Sequence, residues 1–179
     1  MAKIFGFCKD FVVIFLCALL LSLLIKTFLI DNRLIPTSSM VPTVPVDGRI
    51  LVNRMIYHFT EPQFQDIVVF EPTESTKIEV ARNDDMLKRV IGLPGDVVQV
   101  TGAQLYVNGQ AIAEPYLAAD MTYEFGPITV PEDSVLLLGD NRNASFDAHM
   151  WSNPFVPMEN IKGKAFFIYW PAEEFGFLH

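Results

Sequence analysis

Hydrophobic positions follow two regimes along the chain. From Phe11 to Ile30 it reads FVVIFLCALLLSLLIKTFLI, almost unbroken and with one charge, Lys26. About 20 apolar residues rising 1.5 Å each match a hydrocarbon layer roughly 30 Å thick, so this pattern predicts a transmembrane helix over 11–30. Lys26 lies near the end of the span, within reach of the headgroups. A cleaved leader would need a small-residue site after the apolar core, and Thr27 to Arg33 holds none. Cys17 follows Leu16 rather than a small residue, which argues against lipid attachment there. Lys3 and Lys9 precede the span, whereas Asp31 and Arg33 cancel beyond it. The positive-inside rule then puts residues 1–10 in the cytoplasm and 31–179 outside it, in a single-pass protein of the cell membrane.

After Ile30 the pattern changes to short runs rich in β-branched residues. Arg49–Asn53, Asp66–Phe70, Lys77–Ala81, Val97–Val100 and Gln104–Val107 read as strands separated by turn residues. Asn108-Gly109 is a strong hairpin signal. Ser134–Leu138 and Ala165–Trp170 are apolar runs, suited to strands buried on both faces. No run of ten or more residues shows a helical period. Residues 31–179 are therefore expected to form a mainly β domain of antiparallel sheets, packed on each other or barrel-like, with Asp31–Pro36 as a short linker.

Composition narrows the chemistry. The net charge is −8 and the basic residues are scattered, which excludes a nucleic-acid-binding stripe. Cys8 and Cys17 both fall in or beside the apolar segment, so the domain has neither a disulfide framework nor a cysteine metal site. The histidines, His58, His149 and His179, are isolated. No metal or cofactor is expected.

Three stretches remain dense in functional groups. Pro36–Thr43 holds Thr37, Ser38 and Ser39 between two prolines that restrict the backbone. It reads either as an ordinary turn or as a seat for a serine nucleophile, and chemistry alone does not choose between Ser38 and Ser39. Met86–Asp96 puts Lys88 and Arg89 side by side in an apolar strand. Neighbours in a strand face opposite ways, so one cation must point among apolar groups. A sheet edge would explain that as protection against aggregation. A desolvated lysine would explain it as a base, because burial lowers an ammonium pKa and arginine cannot be deprotonated in the same way. Gly139–Trp151 follows an apolar strand, and Asp140, Arg142 and Asp147 suggest an ion-pair and hydrogen-bond lattice. A nucleophile elbow is absent and no histidine sits in a triad motif, which leaves a serine–lysine pair.

Together these stretches resemble the bacterial type I signal peptidases, membrane-bound proteases that remove signal peptides from exported proteins. Pro36–Thr43 is similar to the nucleophile box of that family, Met86–Asp96 to its lysine box, Gly139–Asp147 to a third signature, and Asp66–Phe70 to a further strand motif. The resemblance implies a β domain of two packed antiparallel sheets. It implies Ser39 as nucleophile and Lys88 as general base. The oxyanion hole would be formed by the Ser39 N–H and the Thr37 hydroxyl, and Ser145 would orient the lysine. The implied substrates are preproteins with small residues one and three positions before the cut, handled at the lipid surface near the export machinery. A pilin or conjugation maturation peptidase would share the dyad. A non-catalytic membrane-anchored β module would instead leave Ser39 and Lys88 dispensable. The chain departs from the family pattern at Gln65, where glycine is usual. It also departs at Asn143, Ala144, Ala148 and His149, the last standing where an arginine would pair with Asp147. His149 is expected to substitute for that arginine only when protonated.

Overall fold

The computed structural model describes residues 12–22, 29–80 and 84–179. A helix, α1, covers residues 12–22 with its side chains exposed. The predicted span extends beyond α1 on both sides, and residue 11 and residues 23–28 lie outside the described set. Among the described residues no helix is long and apolar enough to cross a membrane.

The remainder is mainly β. The strands are β1 (Ile30–Ile35), β2 (Gly48–Asn53), β3 (Ile67–Phe70), β4 (Met86–Gly92), β5 (Val97–Thr101), β6 (Gln104–Val107), β7 (Gln110–Ala111), β8 (Phe125–Thr129), β9 (Ser134–Leu138), β10 (Phe155–Pro157), β11 (Ile161–Trp170) and β12 (Gly176–Phe177). The larger sheet runs β1-β2-β11-β3-β4-β9-β10, with β12 also on β11. The smaller runs β7-β6-β5-β8. Neighbouring strands in both sheets are antiparallel.

Strand alternation divides the core. Val68 and Phe70 of β3 join Val98, Val100 and Leu105 of the smaller sheet in one cluster between the sheets. Ile67 and Val69 face the other way, into a second cluster with Ile50, Val52, Met40 and Val44. Asn108 and Gly109 both have positive φ (53° and 76°), which matches the right-handed twist of the β6–β7 hairpin they join.

Two expectations change. Asp31–Ile35 is not a linker but most of β1, paired residue by residue with β2. It is an edge strand, so its polar side chains stay partly exposed while Ile35 enters the second cluster. Lys77–Val80 is not a strand but belongs to a short helix, α2 (Glu74–Val80). Thr73 caps it, with its hydroxyl accepting from the Thr76 N–H at 3.3 Å, and Lys77 pairs with Glu74 one turn back at 2.9 Å. That local capping outweighs the β-branched alternation.

Candidate active site

The serine loop hangs from its apolar residues. Met40 and Val44 are fully buried in the second cluster, and Val44 N–H donates to the Met40 carbonyl at 2.8 Å. Burying those two side chains holds the loop against the second cluster. Ser38 is left exposed, whereas Ser39 is half-buried and lines a cleft of about 510 Å³. Thr37 lines the same cleft, with its hydroxyl 3.4 Å from that of Ser39. Ile35, Leu87, Phe146 and Lys88 also line it, with Glu79, Asp84 and Asp85.

Lys88 comes from β4, which lies between β3 and β9 and is not an edge. The aggregation-guard explanation for its two cations therefore fails. Lys88 is 2% exposed, and among the described residues no carboxylate is within ion-pair distance. Desolvation pushes its pKa down to about 8, against the charges of Asp147 and Asp140, which favour the ammonium. Removal from water disfavours the charged amine, and the two carboxylates are too remote to restore it.

Arg89 points to the other side of the strand, where it is fully buried and makes four hydrogen bonds. Its Nε and Nη2 donate to the two oxygens of Asp140 at 2.9 and 2.7 Å. Nη1 donates to the Gln65 and His179 carbonyls at 3.0 and 2.9 Å. Gln65 has a φ of 69°, the left-handed region that glycine adopts without strain. That conformation accounts for the glycine expected at this position.

The Gly139–Asp147 loop fastens the serine loop to β4. Asp140 accepts from the Thr43 hydroxyl at 2.5 Å while it holds Arg89. Asn141 donates its backbone N–H to the Ser39 carbonyl at 3.0 Å and its side-chain amide to the Ser38 carbonyl at 3.1 Å. A Cβ at Gly139 would collide with Ser145 Oγ and come within 2.5 Å of the Ser39 carbonyl oxygen. The glycine thus allows the two chains to approach closely.

Asp140, Arg142 and Asp147 each pair with partners outside the trio and not with one another. Arg142 makes a two-pronged pair with Glu114 at 2.7 and 2.5 Å. Asp147 accepts from the Gly139 N–H at 2.8 Å. It also bonds His149 Nδ1 at 2.6 Å, and the imidazole stacks on Tyr123 with centroids 4.0 Å apart. A neutral imidazole with its proton on Nδ1 donates this bond as well, so protonation is not required. Ser145 is buried beside Gly139, and its hydroxyl has no hydrogen-bond partner among the described residues.

The profile described as signal peptidase, peptidase S26, matches residues 8–170. This chain belongs to the signal peptidase family, peptidase S26. It is similar to the signal peptidase I of Leptolyngbya laminosa, with 46% identity over 160 residues covering 89% of this chain and 78% of that one. It is also similar to thylakoidal processing peptidase 1 of the Arabidopsis thaliana chloroplast, at 35% identity over 96% of this chain and 51% of that one. A signal peptidase I from Enterococcus faecalis, seen by crystallography, aligns with a TM-score of 0.49 and 31% identity, covering 59% of this chain and 97% of that chain. The protein is therefore a serine peptidase of the signal peptidase I kind.

Two groups at the site, Glu114 and Tyr116, had no signal in the sequence pattern. Glu114 pairs with Arg142 of the loop, and the Tyr116 ring lies under Arg89 of β4. Only the buried arginines, each needing a carboxylate, hint that such partners must exist.

Proposed function

We propose that this peptidase cuts N-terminal signal peptides from exported preproteins through a Ser39–Lys88 dyad. The observation that carries the proposal is a buried, weakly basic lysine lining the same cleft as a half-buried serine. Neutral Lys88 takes the Ser39 hydroxyl proton as Ser39 Oγ attacks the scissile carbonyl. The resulting oxyanion meets the Ser39 N–H and the Thr37 hydroxyl. The ammonium of Lys88 then protonates the leaving amine, and an acyl ester remains on Ser39. Lys88 next activates water, which attacks the ester and frees the serine. Each oxyanion donor contributes about 2.7–4 kcal/mol where such a donor has been removed from a serine protease. Ser145 contributes a buried hydroxyl with no hydrogen-bond partner among the described residues, suited to orienting the Lys88 amine.

Substrates with small residues one and three positions before the cut fit a cleft walled in part by Ile35, Leu87 and Phe146. The apolar segment 11–30 anchors the peptidase in the membrane, with the domain on the extracytoplasmic side. The β1 edge, which leads from that segment into the Ser39 loop, keeps the cleft near the bilayer.

The test is cleavage of a preprotein bearing an Ala-x-Ala site, in detergent or liposomes, by wild type, Ser39→Ala and Lys88→Ala. Each substitution should lower kcat by at least about 10³-fold, because members of a catalytic unit fail together. Activity should rise as pH passes through about 8, where Lys88 loses its proton. Cleavage that survives either substitution would remove the dyad.

A further inference from the structure

We infer that Glu114 and Tyr116 are positioning residues for the Ser39–Lys88 pair, acting through the two buried arginines that grip Gly139-Asp140. The inference rests on the proposed dyad.

Both residues come from the stretch 112–124 between β7 and β8, which lacks regular structure and leaves the smaller sheet to reach the Gly139–Asp147 loop. The Arg89 guanidinium carbon lies 4.0 Å from the Tyr116 ring centroid. At that separation the ring face attracts the cation. The Tyr116 hydroxyl donates to Glu114 Oε1 at 2.6 Å. Glu114 in turn holds Arg142, whose Nε donates to the Gly139 carbonyl at 3.2 Å. Arg89 holds Asp140 with two bonds. Gly139 and Asp140 are thus gripped by one guanidinium each, and Glu114-Pro115-Tyr116 ties the two guanidiniums together. A second contact joins the same segments: Asn143 accepts from the Thr122 N–H at 2.9 Å and donates to the Asp120 carbonyl at 2.8 Å.

The reach of this network to the chemistry is short. Asp140 holds Thr43, and Asn141 holds the carbonyls of Ser38 and Ser39. Arg89 is the chain neighbour of Lys88. If either arginine moves, the serine loop and β4 lose their common reference. Burial and the nearby Glu114 charge push the Tyr116 pKa up, so the hydroxyl remains a donor throughout the working range. The charges that act on Lys88 are Asp147, itself bonded to His149, and Asp140, held by Arg89. Loosening Arg89 leaves Asp140 less neutralised and admits water around β4. Both effects favour the Lys88 ammonium and raise its pKa.

The experiment uses the full chain in detergent, with Tyr116→Phe, Tyr116→Leu, Glu114→Gln and Lys88→Ala beside wild type. Rates are normalised to the folded fraction by circular dichroism and thermal melting. Tyr116→Leu and Glu114→Gln should each lower kcat about tenfold with KM held within about twofold, as expected for a misplaced catalytic pair. The acid limb of kcat against pH should move to higher pH. Tyr116→Phe keeps the ring over Arg89 and should fall between wild type and Tyr116→Leu. The Lys88 pKa, followed directly by NMR of its ε-carbon, should rise in Tyr116→Leu. The inference is overturned if kcat falls only with the folded fraction and the Lys88 titration stays where it is in wild type. An active Lys88→Ala would instead sink the dyad, and the NMR titration would still decide the positioning role.

Discussion

The two sides of β4 give neighbouring cations opposite surroundings. On the cleft side Lys88 is buried with no carboxylate in ion-pair contact among the described residues, and its pKa drops to about 8. On the other side Arg89 is buried just as deeply, but it has Asp140, two backbone carbonyls and an aromatic face. Burial alone is therefore not what makes a base. Desolvation without compensation moves the proton equilibrium of Lys88, whereas desolvation with compensation holds Arg89 in place. The residue types match these tasks, because lysine gives up a proton under such pressure and arginine does not. One strand thus carries an amine of lowered pKa and, one residue later, a guanidinium bound to Asp140.

The comparison can be broken from the paired side first. Asp140→Ala leaves Arg89 buried without its carboxylate, and such losses cost about 3–5 kcal/mol. Denaturant unfolding should register a fall of that size. A fall below about 1 kcal/mol, the level of an exposed ion pair, would mean that Arg89 does not depend on Asp140.

The unpaired side predicts the opposite sign. Below about pH 8 Lys88 is charged in both folded and unfolded chains and bears the full desolvation penalty. Between about 8 and its ordinary 10.5 the unfolded chain holds more protons, so stability from this group rises with pH. Above 10.5 the penalty is gone. Lys88→Met should accordingly stabilise the fold at pH 7 by on the order of 3 kcal/mol, while abolishing activity. The difference from wild type should shrink as pH climbs towards 10.5. Equal melting temperatures for the two proteins at pH 7 would show that burial costs Lys88 nothing.

The smallest effect belongs to the rim. His149→Ala removes one bond to Asp147 and the stack on Tyr123, together worth about 1 kcal/mol. Asp147 keeps its bond from the Gly139 N–H, so the loop should hold. A stability loss as large as that of Asp140→Ala would make His149 part of the clamp rather than its rim.

Much of the fold was legible because its signals are local. The hairpin at Asn108-Gly109, the apolar strands around Leu136 and Ile168, and the alternation in β3 all follow from backbone preference and side-chain period. β1 was not legible, because an edge strand with one exposed face can carry Asp31, Asn32 and Arg33 and resemble a linker. α2 was misread because seven residues are too few for a helical period to stand out, and its cap, Thr73, lies outside the stretch that looked strand-like. The pairing of Arg142 with Glu114 and of Arg89 with Tyr116 spans 28 and 27 positions in the chain, with no short-range pattern to announce either.

The sequence by itself determined the chemistry on offer: a serine–threonine loop between prolines, a lysine inside an apolar strand, a polar loop after another such strand, and an apolar segment ahead of them all. It also determined the family, since those stretches retain their order and spacing. Only the tertiary structure decided which serine enters the cleft, with burial of Met40 and Val44 holding the loop against the second cluster. Only the tertiary structure decided which cation stays unpaired. A pKa and an ion pair depend on everything within a few ångströms, and in a folded chain those neighbours come from β9, from the β7–β8 connection and from the serine loop, all distant in sequence.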